Sequence, residues 1–400
     1  MTKESRTGST ELNNSAEQSA LIAMSGGVDS SVAAYLMVRQ GFTCSGCTMR
    51  LYENDMIGED ILDTCCSLKD TEDARAVCER LGIPYNIYHY ETEFEKKVIE
   101  PFVRSYERGE TPNPCILCNR YLKFDSLYRK AAQMGFHYIV TGHYARIEEK
   151  DGHFYLKKAL DLSKDQSYVL NDLTEEQLSH TAFPLGTYTK NEVRVIAQEN
   201  GFVNSKKKES QDICFVPDGD YASMIRRYTG REYPPGDIVD TKGNVLGRHE
   251  GIIGYTVGQR RGLGVPSDRR LYVKKIDVVN NTVVLSDDEE LYTDRFYIRG
   301  FHWITGEVPA ERPDRDTPAA GPDVLLQRGS GIRCSVKVRY RHKEQPATVY
   351  PQFDGLEGSP EGGRALVIFD EPQRAVTAGQ SAVMYDGDTV LGGGIIDEVI

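Results

Sequence analysis

Two groups of residues in this sequence have the types and spacing to do chemistry. The first is Ser25-Gly26-Gly27-Val28-Asp29-Ser30-Ser31, set between a short apolar run at 20–24 and a helical pattern that continues to Gln40. A strand, a glycine turn and a helix start place backbone N–H groups and the helix dipole where they can hold an anion. Adjacent glycines let the backbone approach phosphates closely, and Ser25, Ser30 and Ser31 add hydroxyl donors. The lysine of a Walker loop is absent, so the string is not the type that holds a transferable γ-phosphate. Asp29 beside a polyphosphate suits help in binding a magnesium ion. A serine-capped Gly-Gly turn would share part of this pattern, but the full string between strand and helix favours phosphate binding.

The second group is the cysteines, at 44, 47, 65, 66, 78, 115, 118, 214 and 334. Cys115-Ile-Leu-Cys118 follows Thr111-Pro-Asn-Pro114, and the pattern predicts a helix from near Asn119. A helix N-terminus stabilises thiolate, which makes Cys118 a candidate nucleophile. Cys214 lies just downstream of Lys206-Lys207-Lys208, whose charge also favours thiolate. Cys78 and Cys334 read as packing residues. Cys44-x-x-Cys47 and Cys115-x-x-Cys118 could form a four-thiolate zinc site, but the 67 residues between them far exceed the usual spacing of about 15–20. An iron–sulfur cluster on Cys115, Cys118 and Cys214 needs only three convergent thiolates and stays open.

The elements that must position these groups change character along the chain. Up to about Pro217, apolar runs at 20–24, 42–51, 83–88 and 138–141 alternate with helical patterns at 68–81, 93–106, 119–134 and 189–200. That order implies βαβ units and a mostly parallel sheet. Beyond it come short β-branched runs split by Gly, Pro, Asn and Asp, including 237–240, 251–257 and 271–276. Asn280-Asn281 between two β-branched runs signals a hairpin. From Tyr297 the β pattern continues to Ile400, interrupted by a Pro/Gly/Asp-rich stretch at 308–330 that reads as a long loop. The expected division is a disordered tail at 1–19, an α/β domain at 20–217, a small β-rich domain at 218–288 and an all-β barrel or sandwich at 289–400.

Composition sets limits. The 400 residues carry 48 Lys and Arg against 60 Asp and Glu, a formal net charge of −12 that excludes a generally basic, histone-like binder. The excess is local, however. Between Arg226 and Lys275, 11 basic residues face 5 acids, giving +6, and Lys337, Arg339, Arg341 and Lys343 follow on what reads as one strand. A polarised surface of this kind suits a nucleic acid. No run approaches the roughly 20 apolar residues of a membrane span. A polar start without an apolar core, and many cysteines without a secretory signal, point to the cytoplasm.

The glycine loop resembles that of the ATP-pyrophosphatase (PP-loop) superfamily, whose members transfer the AMP portion of ATP to an oxygen. Further strings in the same order narrow the resemblance to the tRNA-specific 2-thiouridylases. They are 23–31, 111–119, 141–146, Lys164-Asp-Gln-Ser-Tyr168, Ser210-Gln-Asp-Ile-Cys-Phe215, Val338-Arg-Tyr-Arg341 and Gly379-Gln-Ser-Ala382. They span nearly the whole chain after the tail, leaving only the stretch near 308–330 without a counterpart.

The resemblance implies an α/β fold, with an N-terminal adenine-nucleotide α-hydrolase-like parallel sheet carrying helices on both faces. A β-rich central tRNA-binding domain and a C-terminal β-barrel follow. It implies an enzyme that adenylates the 2-oxygen of a wobble uridine with ATP, with Mg2+, and replaces it with persulfide sulfur from an upstream donor protein. Cys214 matches the persulfide carrier and Cys118 the second catalytic thiol, the two passing through a transient disulfide. Ala23, Met24, Ser25, Gly26, Gly27, Val28, Asp29, Ser30, Met49 and Gly142 match the nucleotide site. Asn113, Pro114 and Cys115 match the segment meeting the flipped-out base. His143, Lys164, Asp165, Gln166, Arg339, Tyr340 and Gln380 match tRNA contacts. Some members carry Asp at the position of Cys115, so acid/base catalysis here falls to that thiol or to another group. No resident metal is expected, and a monomer is the default. A small-molecule ligase of the same superfamily would need neither Cys118 nor Cys214. A non-catalytic RNA-binding or metal-storing protein would release no AMP.

Overall fold

The computed structural model describes residues 18–52, 68–207, 213–305, 331–352 and 363–400. The expected tail up to residue 17, Cys65, Cys66, the start of the Cys214 motif and the 308–330 loop lie outside them. The chain divides into two compact units. One comprises residues up to 98, 115–219 and 388–390, and the other 99–114, 220–387 and 391–400.

The first unit is built on a parallel sheet of β1 (Ser19–Ala23), β2 (Thr43–Arg50), β3 (Tyr85–His89), β4 (Tyr138–Val140) and β7 (Thr181–Ala182), in the order β3-β2-β1-β4-β7. β1 therefore begins at Ser19, inside the expected tail, because Gln18 O already accepts the Thr43 N–H (2.8 Å) and starts the ladder. Its Ala20, Leu21 and Ile22 are all fully buried, the run expected of a strand covered on both faces. Ala20, Ile22 and Val140 pack with the helices Val28–Arg39, Leu68–Leu81 and Lys190–Glu199, while Leu21 and Ile139 alternate to the opposite face. A hairpin of β5 (Ala145–Lys150) and β6 (His153–Lys158) completes the unit.

Two helical stretches differ from the sequence expectation. Residues 91–107 run as α-helix with a π-helical insert at Glu95–Ile99. The helix expected from Asn119 starts at Pro114, passes into a π-helix over Cys118–Ser126 and ends as Leu127–Gln133. Pro114 occupies a first-turn position, where its missing N–H costs nothing, so the proline begins this helix rather than preceding it.

In the second unit, β8 (Gly236–Asp240), β9 (Val245–His249), β10 (Tyr272–Asp277) and β11 (Thr282–Ser286) form a sheet in the order β10-β11-β8-β9 around Ile238, Val273, Val283 and Leu285. The Asn280-Asn281 hairpin is present, with Asn281 at φ +50°. The β run expected at 251–257 is instead a single 3-10 turn, Ile252–Gly254. Gly251 turns the chain at φ +124°, and both Ile252 and Ile253 are buried rather than alternating. The last six strands are β12 (Tyr292–Trp303), β13 (Ile332–Lys337), β14 (Gln345–Gln352), β15 (Gly363–Arg374), β16 (Ser381–Asp386) and β17 (Thr389–Val399). They pair in the order β12-β15-β14-β13-β16-β17, and β12 pairs with β17 to close a barrel. Phe296, Ile298, Val336, Val349, Val367 and Met384 fill it.

Candidate active site

The glycine loop joins β1 to the helix Val28–Arg39, as its sequence requires. Met24 N–H donates to Cys47 O (2.7 Å), which ends β1 on its neighbour. Ser25 N–H donates to Ser30 Oγ (3.2 Å), and the Ser30 and Ser31 hydroxyls donate to Gly27 O (3.1 and 3.0 Å). The serines thus hold the turn in shape. Gly26 sits at φ +69°, and a Cβ there would lie 2.3 Å from Asp70 O. Only glycine fits both the dihedral and the space. Gly142 brings the end of β4 against the same helix start, where its Cβ would lie 2.7 Å from Ser30 N. The carbonyl of Gly26 is fixed by Asn204 Nδ2 (2.9 Å) and Lys207 Nζ (3.3 Å). Lys207 also pairs with Asp70 and with Asp73 (3.0 Å), and these carboxylates hold its ammonium pKa up despite partial burial. The Gly26 peptide is therefore locked from behind.

Asp29 is held by protein groups. Its carboxylate accepts Lys190 Nζ at 2.7 and 2.8 Å and the Tyr144 hydroxyl at 2.9 Å. Lys190, at the start of its helix after the Thr189–Glu192 capping box, places a nearly buried ammonium at the loop. Sequence reading passed over Lys190 because its partner lies 161 residues away; the local signal was a Thr-Lys-x-Glu helix start.

Several expected RNA contacts in the first unit support this site internally. Gln166 Oε1 accepts the Tyr144 N–H (2.9 Å), steadying the residue that bonds Asp29. Asp165 accepts Ala159 N–H (2.9 Å) and the Ser167 hydroxyl (2.7 Å). Lys164 N–H donates to Asp161 O (3.0 Å). His143 is partly buried against Phe124 and Phe183, with Nδ1 2.7 Å from Thr141 Oγ1. Loss of solvation, and then the nearby Lys123 charge, hold its pKa well below the usual histidine value. Met49 is buried in β2, and the neighbouring Thr48 hydroxyl donates to Met24 O (2.8 Å).

The thiols fall into two environments. Cys115 is exposed in the first turn of its helix, so the helix-end argument made for Cys118 applies to Cys115 instead. Cys118 is buried and opens the π-helical stretch, a geometry that recurs at functional sites. Asn119 anchors that stretch through Nδ2 to Val169 O (2.9 Å), and Arg120 pairs with Asp172 (2.6 Å). Cys214 is half-buried, and its carbonyl accepts the Tyr52 hydroxyl (2.9 Å). The next residue, Phe215, packs edge-on against Phe94 (5.6 Å), whose helix touches the Cys118–Ser126 stretch through Glu93 and Ser126 (2.6 Å). Cys214 and Cys118 are thus held in one unit by a continuous set of packed groups. By contrast, Cys44, Cys78 and Cys334 are buried thiols whose pKa burial raises, to about 11, 12 and 12. Among the described residues no three His, Cys, Asp or Glu side chains converge as metal ligands. Neither the zinc quartet nor the three-thiolate cluster is assembled.

In the second unit, Gln380 Nε2 donates to Thr111 O (2.6 Å), Thr111 N–H donates to Ala378 O (2.8 Å), and a Cβ at Gly379 would meet Thr111 N at 2.8 Å. Gln380 is therefore a clamp on the irregular segment leading to Asn113 and Pro114. Arg339 donates to Arg374 O (3.1 Å), while Tyr340 stays partly exposed beneath the Lys337 ammonium (5.7 Å). The cations expected on one strand lie at the end of β13 and in the turn after it, closed by His342 N–H to Arg339 O (3.0 Å).

Comparison with known proteins settles what this arrangement belongs to. Three family descriptions match in order: tRNA methyl transferase HUP domain over 18–218, tRNA methyl transferase PRC-barrel domain over 222–287 and aminomethyltransferase beta-barrel domain over 293–396. The chain is 44% identical over 380 residues to the tRNA-specific 2-thiouridylase MnmA of Clostridioides difficile (strain 630), covering 94% of this chain and 98% of that one. The chain belongs to the tRNA-specific 2-thiouridylase family. A second 2-thiouridylase, from Acetivibrio thermocellus, is 45% identical over 379 residues, covering 94% of this chain and 98% of that one. A third, from Thermoanaerobacter sp. (strain X514), is 46% identical, covering 94% and 97%. Among the described residues no helix is long and apolar enough to cross a membrane.

Proposed function

We propose that this protein is an ATP-dependent tRNA sulfurtransferase that converts a wobble uridine to 2-thiouridine, AMP and pyrophosphate. The observation that carries the reading is a locked glycine loop with the Lys190 ammonium at it, in the same unit as the Cys118 and Cys214 segments. The loop residues Ala23 to Ser30, with Met49 and Gly142, bind ATP as substrate. Magnesium would enter with the phosphates, and Asp29 serves to position Lys190.

Adenylation turns the uridine 2-oxygen into the oxygen of a leaving AMP. Cys214 carries the incoming sulfur as a persulfide. The Cys118 thiolate attacks the Cys214 sulfur, the S–S bond to the terminal sulfur breaks, and that sulfur leaves with its electron pair to displace AMP from carbon 2. A Cys118–Cys214 disulfide remains, balancing the two electrons, and is reduced before the next turnover. Asn113, Pro114 and Cys115 meet the target base, and His143, Lys164, Arg339 and Tyr340 face the RNA, with Asp165, Gln166 and Gln380 acting through the backbone they hold. The three working parts are the catalytic segment 20–217, the RNA-binding segment 218–288 and the barrel segment 289–400. The protein works as a cytoplasmic monomer supplied by a persulfide donor protein.

The purified protein with ATP, tRNA and a persulfide donor is expected to form 2-thiouridine, seen by nucleoside mass spectrometry, with AMP released only when tRNA is present. AMP release without tRNA would favour a small-molecule ligase, and no AMP at all would favour a binding protein.

A further inference from the structure

Ion pairing sorts the cations of the central β segment into two groups. Arg231 pairs with Glu107 (3.1 Å), Arg248 with Asp237 (3.7 Å), Arg269 with Asp287 (2.6 Å) and Lys274 with Glu290 (2.7 Å). Among the described residues Arg260, Arg261 and Arg270 are exposed and make no ion pair, and the same holds for Lys242 and Lys275, but only the arginines cluster on one loop. All three lie on the chain between Gly258 and Leu271, which forms an open groove of about 530 Å³ lined in part by Arg260, Val265, Ser267, Asp268, Arg269 and Arg270, with Arg261 next to Arg260 in the chain but outside the lining. Asp268 is the one acid on this loop, against four arginines.

The loop is held rather than loose. Leu263 and Leu271 are buried in the core with Val273 and Leu285. Gly258 N–H donates to Val273 O (2.7 Å) and Val273 N–H to Gln259 O (3.0 Å). The Gln259 side chain accepts Thr256 N–H (2.9 Å) and donates to Arg261 O (3.0 Å). Ser267 Oγ accepts Arg269 N–H (3.2 Å). A fixed backbone presenting unpaired guanidinium groups loses little freedom on binding, and planar guanidinium forks match phosphate oxygens.

We propose that this groove is a phosphodiester site for the RNA substrate, with Arg260 and Arg270 contacting the backbone from its lining, Arg261 adding charge at its edge and Arg269 held in reserve by Asp287. The proposal rests on the thiouridylase reading and locates where the central segment grips the RNA. Such contacts set register without reading bases.

The test uses the full-length protein carrying Arg260→Ala, Arg261→Ala and Arg270→Ala together. Its control carries Arg231→Ala and Arg248→Ala, which remove two cations already satisfied by carboxylates. tRNA affinity is measured from about 50 to 200 mM salt, where each lost phosphate contact flattens the log–log slope by nearly one. The triple variant is expected to bind tRNA at least about tenfold more weakly, with the slope reduced by about two to three, while the control shifts less than about threefold. ATP binding and the melting temperature should stay unchanged in both. Triple and control variants losing equal affinity and slope would overturn the proposal, because a diffuse charge effect would then suffice. Unaltered tRNA binding with loss of inorganic phosphate binding would also overturn it, in favour of a free-anion site. Unaltered tRNA binding with slowed sulfur transfer from the donor protein would do the same, in favour of a protein interface. A wild-type protein that shows no salt-dependent tRNA binding would defeat the thiouridylase reading itself.

Discussion

Replacing Cys214 by serine is expected to abolish 2-thiouridine formation, a loss of at least about 10³-fold, while ATP affinity changes less than about twofold. A hydroxyl cannot carry a sulfane sulfur, so no residual route through residue 214 remains. The segment after Cys214 is held by Phe215 on Phe94 and by the Tyr52 hydroxyl on the Cys214 carbonyl, none of which uses the thiol. Serine therefore leaves the fold in place. Cys334→Ala is the matched control. That thiol is buried in the barrel with its pKa pushed up to about 12, so it stays protonated and inert at neutral pH. Its removal should cost about 1 kcal/mol of packing and no activity. Equal loss of thiolation in both variants would show that the effect is structural.

Replacing Lys190 by methionine is expected to lower kcat/KM for ATP about 10²-fold, close to 2.7 kcal/mol at the transition state. Methionine keeps most of the aliphatic stem but removes the ammonium, which lies over the Tyr144 ring (5.7 Å) and 2.7 and 2.8 Å from Asp29. An unanswered carboxylate would then face the incoming triphosphate. Removing one partner of an interior pair also costs stability, here about 1–3 kcal/mol because Asp29 keeps access to solvent. The variant Asp29→Asn/Lys190→Met removes both charges. It should recover most of the lost melting temperature but little of the ATP-dependent rate, which separates the cation's contribution to catalysis from its contribution to folding. Recovery of both would reduce Lys190 to a structural partner of Asp29.

What was legible in the sequence was what is local. The strand–glycine loop–helix unit follows from adjacent residues, and the parallel sheet from the alternation of apolar runs with helical patterns. The Asn280-Asn281 turn was legible for the same reason. The all-β character of the last segment follows from its β-branched runs, while closure into a barrel depends on the pairing of β12 with β17, which joins residues far apart in sequence. The hairpin at Ala145–Lys150 and His153–Lys158 was missed although Asp151-Gly152, at φ 54° and 83°, is a strong turn signal. Pro114 was read as preceding a helix when it starts one, and this moved the favourable helix-end position from Cys118 to Cys115. The Asp29 partners, the clamp of Gln380 on Thr111 and the fixing of Gly26 by Asn204 join residues far apart in sequence. No pattern within one segment announces them. The net charge of −12 also hid more than it showed, since the pairing of each cation separates Arg260, Arg261 and Arg270 from Arg231, Arg248, Arg269 and Lys274.

The central claim is that the uridine 2-oxygen leaves as part of AMP. Transfer RNA labelled with oxygen-18 at carbon 2 of the target uridine tests it directly, with the AMP product examined by mass spectrometry. The account predicts one labelled oxygen in the AMP phosphate for each 2-thiouridine formed. Thiolation that yields unlabelled AMP, with the label released to water, would contradict it.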